Sequence, residues 1–376
     1  MEKLEYNLTE KQQEGLEICL TRYKEHCPYT IIAGYAGTGK SYLVNAIVDA
    51  FGFSEEEVAY ACYTGKASLV LQKQGKNAMT LHKLLYISYP DGYGGFIHKP
   101  KDQLDENLKL IIVDEISMCP KDLWKLLLSH NIYVIGLGDP FQLPPIGDSL
   151  KLLDKPHIFL TEVMRQALDN DIIKYSMELR EGKILKAGIR GKNIQTYNRN
   201  ELTTGMLLWA DQILCGKNAT RHSINNKMRE LLGKEELLAD NDKLICTKNY
   251  WHKMSEHQNF LVNGIIGNVS QIAINPWSYD VRAKFVSDED SFNILHLDEK
   301  LLSTGSPTIE VDKNGKVKIN RKIEMDYGYA ITVHKAQGSQ FDKVLVYNEY
   351  LYGEENHNRW LYTAITRAVD KVVVII

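Results

Sequence analysis

The chain has 376 residues, 44% apolar and 25% charged, a balance typical of globular proteins with two or more domains. Its net charge of −3 excludes a global basic field, so any nucleic-acid site must be a local groove. The six cysteines form no Cys-x-x-Cys pair, and neither a signal peptide nor an apolar run of membrane-spanning length is recognised, which predicts a soluble cytoplasmic protein with reduced thiols.

In chain order, the first 150 residues alternate strand-like and helix-like segments, the pattern of a parallel sheet covered by helices. The predicted strands are Tyr29 to Ala33, Val58 to Tyr63, Lys109 to Val113 and Asn131 to Leu137. Pro120 to Ser129 is predicted as a helix with Pro120 in its first turn. Ile87 to Glu106 interrupts the alternation, because its turn residues flanked by aromatics predict a protruding hairpin.

A second α/β pattern begins near Pro156 and ends with predicted strands at Lys343 to Tyr347 and Lys371 to Ile376. Between Leu232 and Glu324, short alternating segments and two Asn-Gly turns predict a small, barrel-like β insertion. The predicted domains are 1–155, which carries the hairpin 87–106; 156–231 with 325–376; and the insertion 232–324.

Gly34 to Ser41 reads GYAGTGKS and matches the phosphate-binding loop G-x-x-x-x-G-K-[ST] at every position, between a strand and an amphipathic segment. Backbone N–H groups of such a loop surround phosphates, and the helix dipole favours their charge. Lys40 is expected to reach the β- and γ-phosphates, and the Ser41 hydroxyl to bind Mg²⁺. The other nucleotide contacts predicted in the loop are Gly37, Thr38 and Gly39.

Ile111 to Met118 reads IIVDEISM, an apolar strand that ends in two adjacent carboxylates. Asp114 is predicted to hold Mg²⁺, and Glu115 to orient and deprotonate the attacking water. Kinases and GTPases share the phosphate loop. A glutamate directly after the Mg²⁺-binding aspartate favours ATP hydrolysis over their reactions.

Gly138 to Gly147 reads GDPFQLPPIG and follows the apolar run Ile132 to Leu137. This order predicts that it lies at the carboxyl edge of the parallel sheet, where nucleotides bind. Three prolines stiffen the segment and hold Gln142 as a polar probe. A proline-rich surface loop is the plain alternative. Beside a phosphate loop, the segment predicts an element that reports the state of the nucleotide.

Two arginines of the predicted second domain are candidates to stabilise charge on a transferred phosphoryl group: Arg165 in LTEVMRQALDN and Arg367 in LYTAITRA. Because they lie outside the first domain, hydrolysis would require domain closure. Between them, YAITVHKAQGSQFD groups polar residues ahead of a strand, which favours contacts to nucleic acid or to the γ-phosphate.

Together these segments resemble the ordered motifs of superfamily 1 helicases and span nearly the whole chain. The segments are GYAGTGKS, VDEISM, GDPFQLPPIG, the MRQ segment, TVHKAQGSQFD and LYTAITRA. The resemblance is to the compact RecD/Dda-type branch, whose members track single-stranded DNA from 5′ to 3′. It implies two RecA-like P-loop domains, an inserted β-hairpin pin and a small SH3-like β-barrel insertion.

The resemblance also implies residue roles. Gln142 senses the γ-phosphate, and Arg165 and Arg367 act as paired arginine fingers. Gln12 grips adenine, although Thr9 and Gln12 also match a capping box that needs no ligand. Further implied nucleotide contacts are Gln337 and Gly338. Implied DNA contacts are Thr64, Gly65, Lys66, Thr80, His82, Phe96, Thr332 and His334.

For the aromatic residues of the two inserted segments, the sequence allows two roles, contact with DNA and packing within the protein. Tyr89, Tyr93 and Phe96 either stack on a base at the fork or pack the hairpin onto its domain. In the β insertion, Trp251, His252 and Phe260 fit core packing better than contact with DNA or with the pin. Because the pattern is that of a compact core without an accessory domain, neither high processivity nor assembly into a nuclease complex is expected.

The expected function is that of an ATP- and Mg²⁺-dependent 5′-to-3′ DNA helicase. It would act as a monomer on single-stranded and forked DNA in bacterial or phage-infected cytoplasm, with replication or single-strand-binding proteins as candidate partners. An RNA helicase is one alternative, since nothing in the sequence reads the 2′-hydroxyl. A nucleotide-gated single-strand-binding switch is another, although the intact Glu115, Arg165 and Arg367 argue against it. A small P-loop kinase would not need the second arginine-bearing domain.

Overall fold

The computed structural model describes residues 6–63, 65–90, 96–144, 150–164, 167, 169–254, 260–274, 281–287, 291–294, 297–298, 301–302, 322–349 and 354–376. Within these ranges the strands form three larger sheets, of six, five and five strands, and two short ribbons. No helix in the same ranges combines the length and the apolar character needed to cross a membrane.

The α-helices are α1 (Glu10–Lys24), α2 (Lys40–Phe51), α3 (Gly65–Lys73), α4 (Leu81–Leu85), α5 (Lys121–Leu128), α6 (Asp171–Arg180), α7 (Thr204–Trp209), α8 (Asn218–Leu231), α9 (Val333–Ala336) and α10 (Glu354–Ile365). The strands up to the second α/β unit are β1 (Tyr29–Gly34), β2 (Val58–Cys62), β3 (Ala78–Thr80), β4 (Tyr86–Pro90), β5 (Phe96–Pro100), β6 (Leu110–Asp114), β7 (Tyr133–Gly138) and β8 (Ile158–Leu160). The later strands are β9 (Ile194–Tyr197), β10 (Gln212–Cys215), β11 (Lys243–Cys246), β12 (Tyr250–Met254), β13 (Phe260–Leu261), β14 (Ile266–Ile274), β15 (Val281–Ser287), β16 (Ser291–Ile294), β17 (Met325–Tyr327), β18 (Ala330–Thr332), β19 (Phe341–Tyr347) and β20 (Ala368–Ile375).

The first sheet is parallel throughout and has the order β3-β2-β6-β7-β1-β8. Strands β2 and β7 are buried along their whole length, because helices pack on both faces of the sheet. The four strands predicted for this region are confirmed to within two residues. The predicted helix is confirmed as α5, but Pro120 is its N-cap and not part of its first turn, because its ψ of 150° is extended.

The predicted hairpin corresponds to a two-stranded antiparallel ribbon formed by β4 and β5. It is shorter than predicted, because the chain leaves the ribbon after Pro100. Tyr89 is exposed on it, and the Lys99 ammonium lies 5.8 Å from the centre of the Tyr89 ring. Tyr93 and the side chain of Phe96 lie outside the described residues. The strand-separating role of the ribbon stays a prediction.

The second α/β unit contains a parallel five-stranded sheet with the order β18-β10-β19-β20-β9. One face carries α6 and α10, whose buried residues include Ile172 and Trp360. The other face carries α7 and α8, with Leu207 and Met228 in its core. Helix α10 also contacts the first unit, since the Tyr362 hydroxyl accepts from the backbone N–H of Ala36.

The predicted β insertion corresponds to an antiparallel sheet with the order β16-β15-β14-β11-β17. Strand β17 lies beyond Glu324, because the chain makes one more antiparallel pairing with β11 before it enters the parallel sheet. Trp251, His252 and Phe260 belong to β12 and β13, but their side chains are not among the described parts. The SH3-like assignment stays a prediction.

Candidate nucleotide site and nucleic-acid interface

The loop between β1 and α2 needs glycine at specific positions. Gly37 and Gly39 have φ values of 76° and 77°, in the left-handed region that glycine enters without strain. A Cβ atom on Gly39 would lie 2.5 Å from Nε2 of Gln12, and one on Gly34 would lie 2.7 Å from Oγ1 of Thr38. The loop therefore brings backbone N–H groups to the N-terminus of α2 without side chains in the way, as a phosphate site requires.

Among the residues that the structure describes, the hydrogen-bond partners of the Lys40 ammonium in this loop are two backbone carbonyl oxygens. Nζ of Lys40 donates to the carbonyl oxygens of Gly34 at 2.7 Å and Tyr35 at 3.0 Å. Burial lowers the pKa of Lys40, and nearby carboxylates, led by Asp139 and Asp114, partly oppose that shift. A cation held this way fits an incoming phosphate, because the anion would compensate the charge that neutral carbonyls leave unpaired.

Asp114 and Glu115 follow β6 at the same edge of the sheet. Glu115 has a left-handed φ of 51°, and its backbone N–H donates to Oδ1 of Asp114 at 2.8 Å. Burial raises the pKa of both carboxyl groups. Oε2 of Glu115 is buried and has no hydrogen-bond partner among the described residues. A buried acceptor left free beside a phosphate loop fits a base that waits for a water molecule.

Arg367 reaches Glu115 from the second α/β unit. Its Nη1 lies 3.4 Å from Oε1 of Glu115 and 3.4 Å from the carbonyl oxygen of Ser339, and its Nε donates to the carbonyl oxygen of Thr363 at 3.2 Å. The side chain is buried. The positive charge lowers the pKa of Glu115, against the larger effect of burial. The structure thus brings together two residues that the sequence separates by about 250 positions.

The segment after β7 is bound to α10. Oγ1 of Thr363 accepts from the backbone N–H of Leu143 at 2.9 Å, and Nε2 of Gln337 donates to the carbonyl oxygen of Leu143 at 2.7 Å. The Gln142 side chain instead borders a cavity of about 80 Å³ beside Ser117. The Leu143 backbone is therefore one of the contacts between this segment and the second unit, and the sequence did not indicate it.

Tyr362 is a second functional candidate that sequence reasoning missed. Its hydroxyl donates to Oδ2 of Asp139 at 2.5 Å and accepts from the backbone N–H of Ala36 at 2.8 Å. The Tyr362 and Phe141 rings meet edge-to-face with 5.1 Å between centroids. One hydroxyl of α10 thus contacts the phosphate loop and the GDPFQ segment together. Its position five residues before Arg367 in LYTAITRA was the available signal.

The Gln12 side chain takes part in the predicted capping box and also contacts the phosphate loop. The capping box is formed, with Oε1 of Gln12 accepting from the backbone N–H of Thr9 at 3.0 Å. Nε2 of Gln12 also donates to the carbonyl oxygen of Thr38 at 3.2 Å, so this side chain lies against the phosphate loop. Adenine contact stays a prediction. Gly338 follows Gln337 with a left-handed φ of 74°.

The two parallel sheets carry predicted DNA contacts at equivalent positions, each at the end of an edge strand. The residues are Thr80 and His82 in the first unit and Thr332 and His334 in the second. Thr80 ends the edge strand β3 and caps α4, accepting from a backbone N–H at 3.2 Å. Thr332 ends the edge strand β18 and caps α9 in the same way, at 3.4 Å. His82 and His334 lie two residues further on, and burial lowers the pKa of both imidazoles, which favours their neutral forms. This repeated arrangement was not predicted.

Other predicted site residues are described in part. Gly65 begins α3 and meets the β insertion closely, since a Cβ there would lie 1.9 Å from Cγ2 of Val262. Ser41 is exposed in the first turn of α2. Thr64 and Arg165 lie outside the described residues, as does the side chain of Lys66. The backbone N–H of Met164, the neighbour of Arg165, donates to the carbonyl oxygen of Gly37 at 2.9 Å.

Comparisons with known proteins agree with this geometry. Residues 7–204 match the family described as "AAA domain", and residues 327–375 match the "UvrD-like helicase C-terminal domain". The ATP-dependent RecD2 DNA helicase of Deinococcus radiodurans is 30% identical over 91% of this chain and 46% of its own length. The ATP-dependent DNA helicase dda of phage T4 is 24% identical over 96% of this chain and 97% of its own length. The chain belongs to the superfamily 1 helicases of the RecD/Dda/Pif1 type.

Solved structures of this family show the same fold. Pif1 helicase from Candida albicans aligns with a TM-score of 0.54 and 18% identity, over 98% of this chain and 94% of its own. Bacteroides Pif1 in complex with ADP-AlF3 and single-stranded DNA aligns with a TM-score of 0.55 and 16% identity, over 98% and 92%. Two RecA-like domains fit these alignments and the two parallel sheets. The chain spans about half the length of RecD2 and 36% of a further relative, the uncharacterized protein MJ1519 of Methanocaldococcus jannaschii.

Proposed function

We propose that this chain is an ATP-hydrolysing DNA helicase that moves along single-stranded DNA from 5′ to 3′ and separates duplex by closing and opening its two α/β units. The observation that carries the proposal is the meeting of Arg367 with Glu115, because it joins a buried base on one parallel sheet to a cation from the other. Its named relatives RecD2, Dda and Pif1 are ATP-dependent DNA helicases, which supports the same class here.

Nucleotide binding is assigned to the phosphate loop and its surroundings. Lys40 would exchange its carbonyl partners for phosphate oxygens, and Gln12 would recognise adenine beside Thr38. Ser41 and Asp114 would hold Mg²⁺, which when bound neutralises charge on the phosphates. Gln337 and Gly338 would lie near the γ-phosphate; this requires the Gln337 amide to leave the Leu143 carbonyl.

Hydrolysis is assigned to Glu115 as the base that accepts a proton from water at its free Oε2. Arg367 would stabilise charge that develops on the transferred phosphoryl group. Arg165 would join it, which the contact of Met164 with the phosphate loop supports. Because Arg367 comes from the second unit, turnover would require the closed arrangement and would stop when the units separate.

DNA binding is assigned to the two threonine-histidine pairs at the edge strands β3 and β18. A cycle of closing and opening would change the distance between these two equivalent DNA-binding sites. Stepping results when the two sites bind the strand alternately. Neutral imidazoles suit contacts that do not depend on sequence. Thr64, Gly65 and Lys66 would add contacts at α3, and the β4–β5 ribbon would act as the pin. The 5′-to-3′ direction rests on the likeness to the RecD/Dda branch.

One assay tests the proposal: ATP-dependent unwinding of duplexes that carry a 5′ or a 3′ single-stranded tail, each prepared as DNA and as RNA. We expect unwinding of the 5′-tailed DNA, monomeric protein in sedimentation and ATPase stimulated by single strands. Unwinding from a 3′ tail alone would contradict the direction. Preference for RNA would favour an RNA helicase, and strand-stimulated ATPase without unwinding would favour a nucleotide-gated switch.

A further inference from the structure

A cavity of about 380 Å³ lies on the second α/β unit and belongs to none of the sites above. Tyr197, Met206, Trp209 and Val373 contribute its apolar and aromatic wall. Among its described lining residues, the charged ones are Lys192 and Lys371, both exposed at the rim. The volume lies in the range of ligand pockets and suffices for one aromatic side chain.

The cavity lies on the face of the second sheet opposite α6 and α10 and away from the predicted DNA contacts at β18. Val373 and α7 belong to the face of the sheet opposite α6 and α10. Strand β9, which lines the cavity, is at one edge of the sheet, and β18, which ends at the predicted DNA contact Thr332, is at the other. Four strand spacings, a distance of roughly 19 Å, separate these two strands. Lys371 also lies in the first half of β20, away from the carboxyl ends where the motifs gather.

The donors on this cavity include the exposed ammonium groups of Lys192 and Lys371 and the indole N–H of Trp209. Two carboxylates beside the lining residues accept hydrogen bonds from the backbone. Asp171 accepts from the backbone N–H of Lys192 at 2.6 Å, and Glu201 accepts from that of Asn198 at 2.7 Å. The site therefore offers positive charge and N–H donors around an apolar floor.

We propose that this cavity binds an acidic peptide segment of a partner protein, with an aromatic side chain on the Trp209 floor and carboxylates on Lys192 and Lys371. Charge complementarity argues for the carboxylates, because the charged residues among the described lining are both lysines. A peptide fits better than a free aromatic acid. The two lysines are exposed at the rim, so the carboxylates that pair with them must belong to a ligand that extends beyond the cavity. A nucleic acid fits less well, because the cavity lies away from the predicted strand path.

Fluorescence anisotropy of a labelled peptide tests the proposal on the full chain. The probe is a run of aspartates followed by leucine and phenylalanine with a free C-terminal carboxylate. We expect saturable binding that high salt weakens, and loss of binding when the phenylalanine is replaced by serine or the aspartates by asparagines. The double variant Lys192→Glu, Lys371→Glu should weaken binding at least about tenfold, since two attractions become repulsions.

The matched control is Lys121→Glu, Lys125→Glu, which reverses two exposed lysines on α5 and should leave peptide binding unchanged. Strand-stimulated ATPase should be the same in both double variants, so this test is independent of the proposed helicase activity. Equal loss in both variants, equal binding of the substituted peptides, displacement by oligo-dT or equally tight binding of free phenylacetate would each overturn the proposal.

Discussion

Tyr362 on α10 donates its hydroxyl proton to Asp139 of the GDPFQ segment while the same oxygen accepts from the phosphate loop at Ala36. The three groups come from the two parallel sheets, so these hydrogen bonds can persist only while the units are together. Burial raises the pKa of Tyr362 well above its usual value, so it stays a neutral phenol at physiological pH. The hydroxyl thus links two segments of the first unit to α10 of the second unit.

Tyr362→Phe should keep the ring contact with Phe141 and lose both hydrogen bonds. Since each of the two bonds contributes about 1 kcal/mol, we expect strand-stimulated ATPase turnover to fall by up to about 30-fold, with little change in single-strand binding. Tyr133→Phe is the matched control, because the Tyr133 hydroxyl is also buried with two partners but lies in the core of the first unit. Equal losses of turnover in the two variants would show that Tyr362 acts only through stability.

Glu115→Gln should keep ATP and single-strand binding and lose about 10²- to 10⁴-fold in turnover, the range for removal of a general base. The amide preserves the size of the side chain, so nucleotide affinity measured with a fluorescent ATP analogue should stay near that of the unchanged chain. Glu14→Gln, an exposed change on α1, is the control. Unchanged turnover would remove Glu115 from the role of base.

Gln142→Ala and Thr363→Val test which part of the GDPFQ segment couples ATP hydrolysis to unwinding, the Gln142 side chain or the Leu143 backbone. Gln142→Ala should spare ATP binding and impair unwinding more than single-strand binding if this side chain senses the γ-phosphate. Thr363→Val removes the acceptor of the Leu143 N–H at constant volume and should uncouple ATPase from unwinding more strongly, because this hydrogen bond links the Leu143 backbone directly to α10. The ratio of base pairs opened to ATP hydrolysed measures both. Full unwinding activity of Gln142→Ala would show that the Gln142 side chain has only a structural role.

Local patterns made much of this site predictable. The phosphate loop follows β1, and Asp114 and Glu115 end β6, because spacing and strand periodicity fix such positions from neighbouring residues alone. A position of Arg367 near the phosphates, on a second domain, was expected from the sequence, but its contact with Glu115 was not. Roles such as those of Arg165 and Gln142 stay predictions.

Contacts that depend on packing between units were not predictable. The Gln337 amide was expected near a γ-phosphate, and the structure has it on the Leu143 carbonyl, a pairing that no spacing in the sequence indicates. The hydroxyl of Tyr362 was overlooked for the same reason. Pro120 was expected inside α5, and only its extended ψ distinguishes an N-cap from a first turn.

Arg180, the last residue of α6, lies with its guanidinium carbon 3.7 Å from the centre of the Tyr35 ring in the phosphate loop. Arg180→Met should raise KM for ATP several-fold, because it removes a contact that helps hold the closed units together. A double-mutant cycle with Tyr35→Leu should give a coupling energy of about 0.5–2 kcal/mol. Arg190→Met is the control, since Arg190 stacks on Tyr197 at 3.9 Å away from the cleft. Additive effects in the cycle would contradict a direct contact.

Arg221 and Asp326 form a buried ion pair between α8 and β17, where the second sheet meets the antiparallel sheet. Arg221→Met should lower the free energy of unfolding by about 3–5 kcal/mol, because it leaves an unpaired buried carboxylate. Adding Asp326→Leu should restore most of that loss by removing the charge. Lys11→Met breaks an exposed pair with Glu14 and should change stability by less than about 1 kcal/mol. Urea denaturation measures all three, and no recovery in the double variant would show that the loss comes from packing and not from charge.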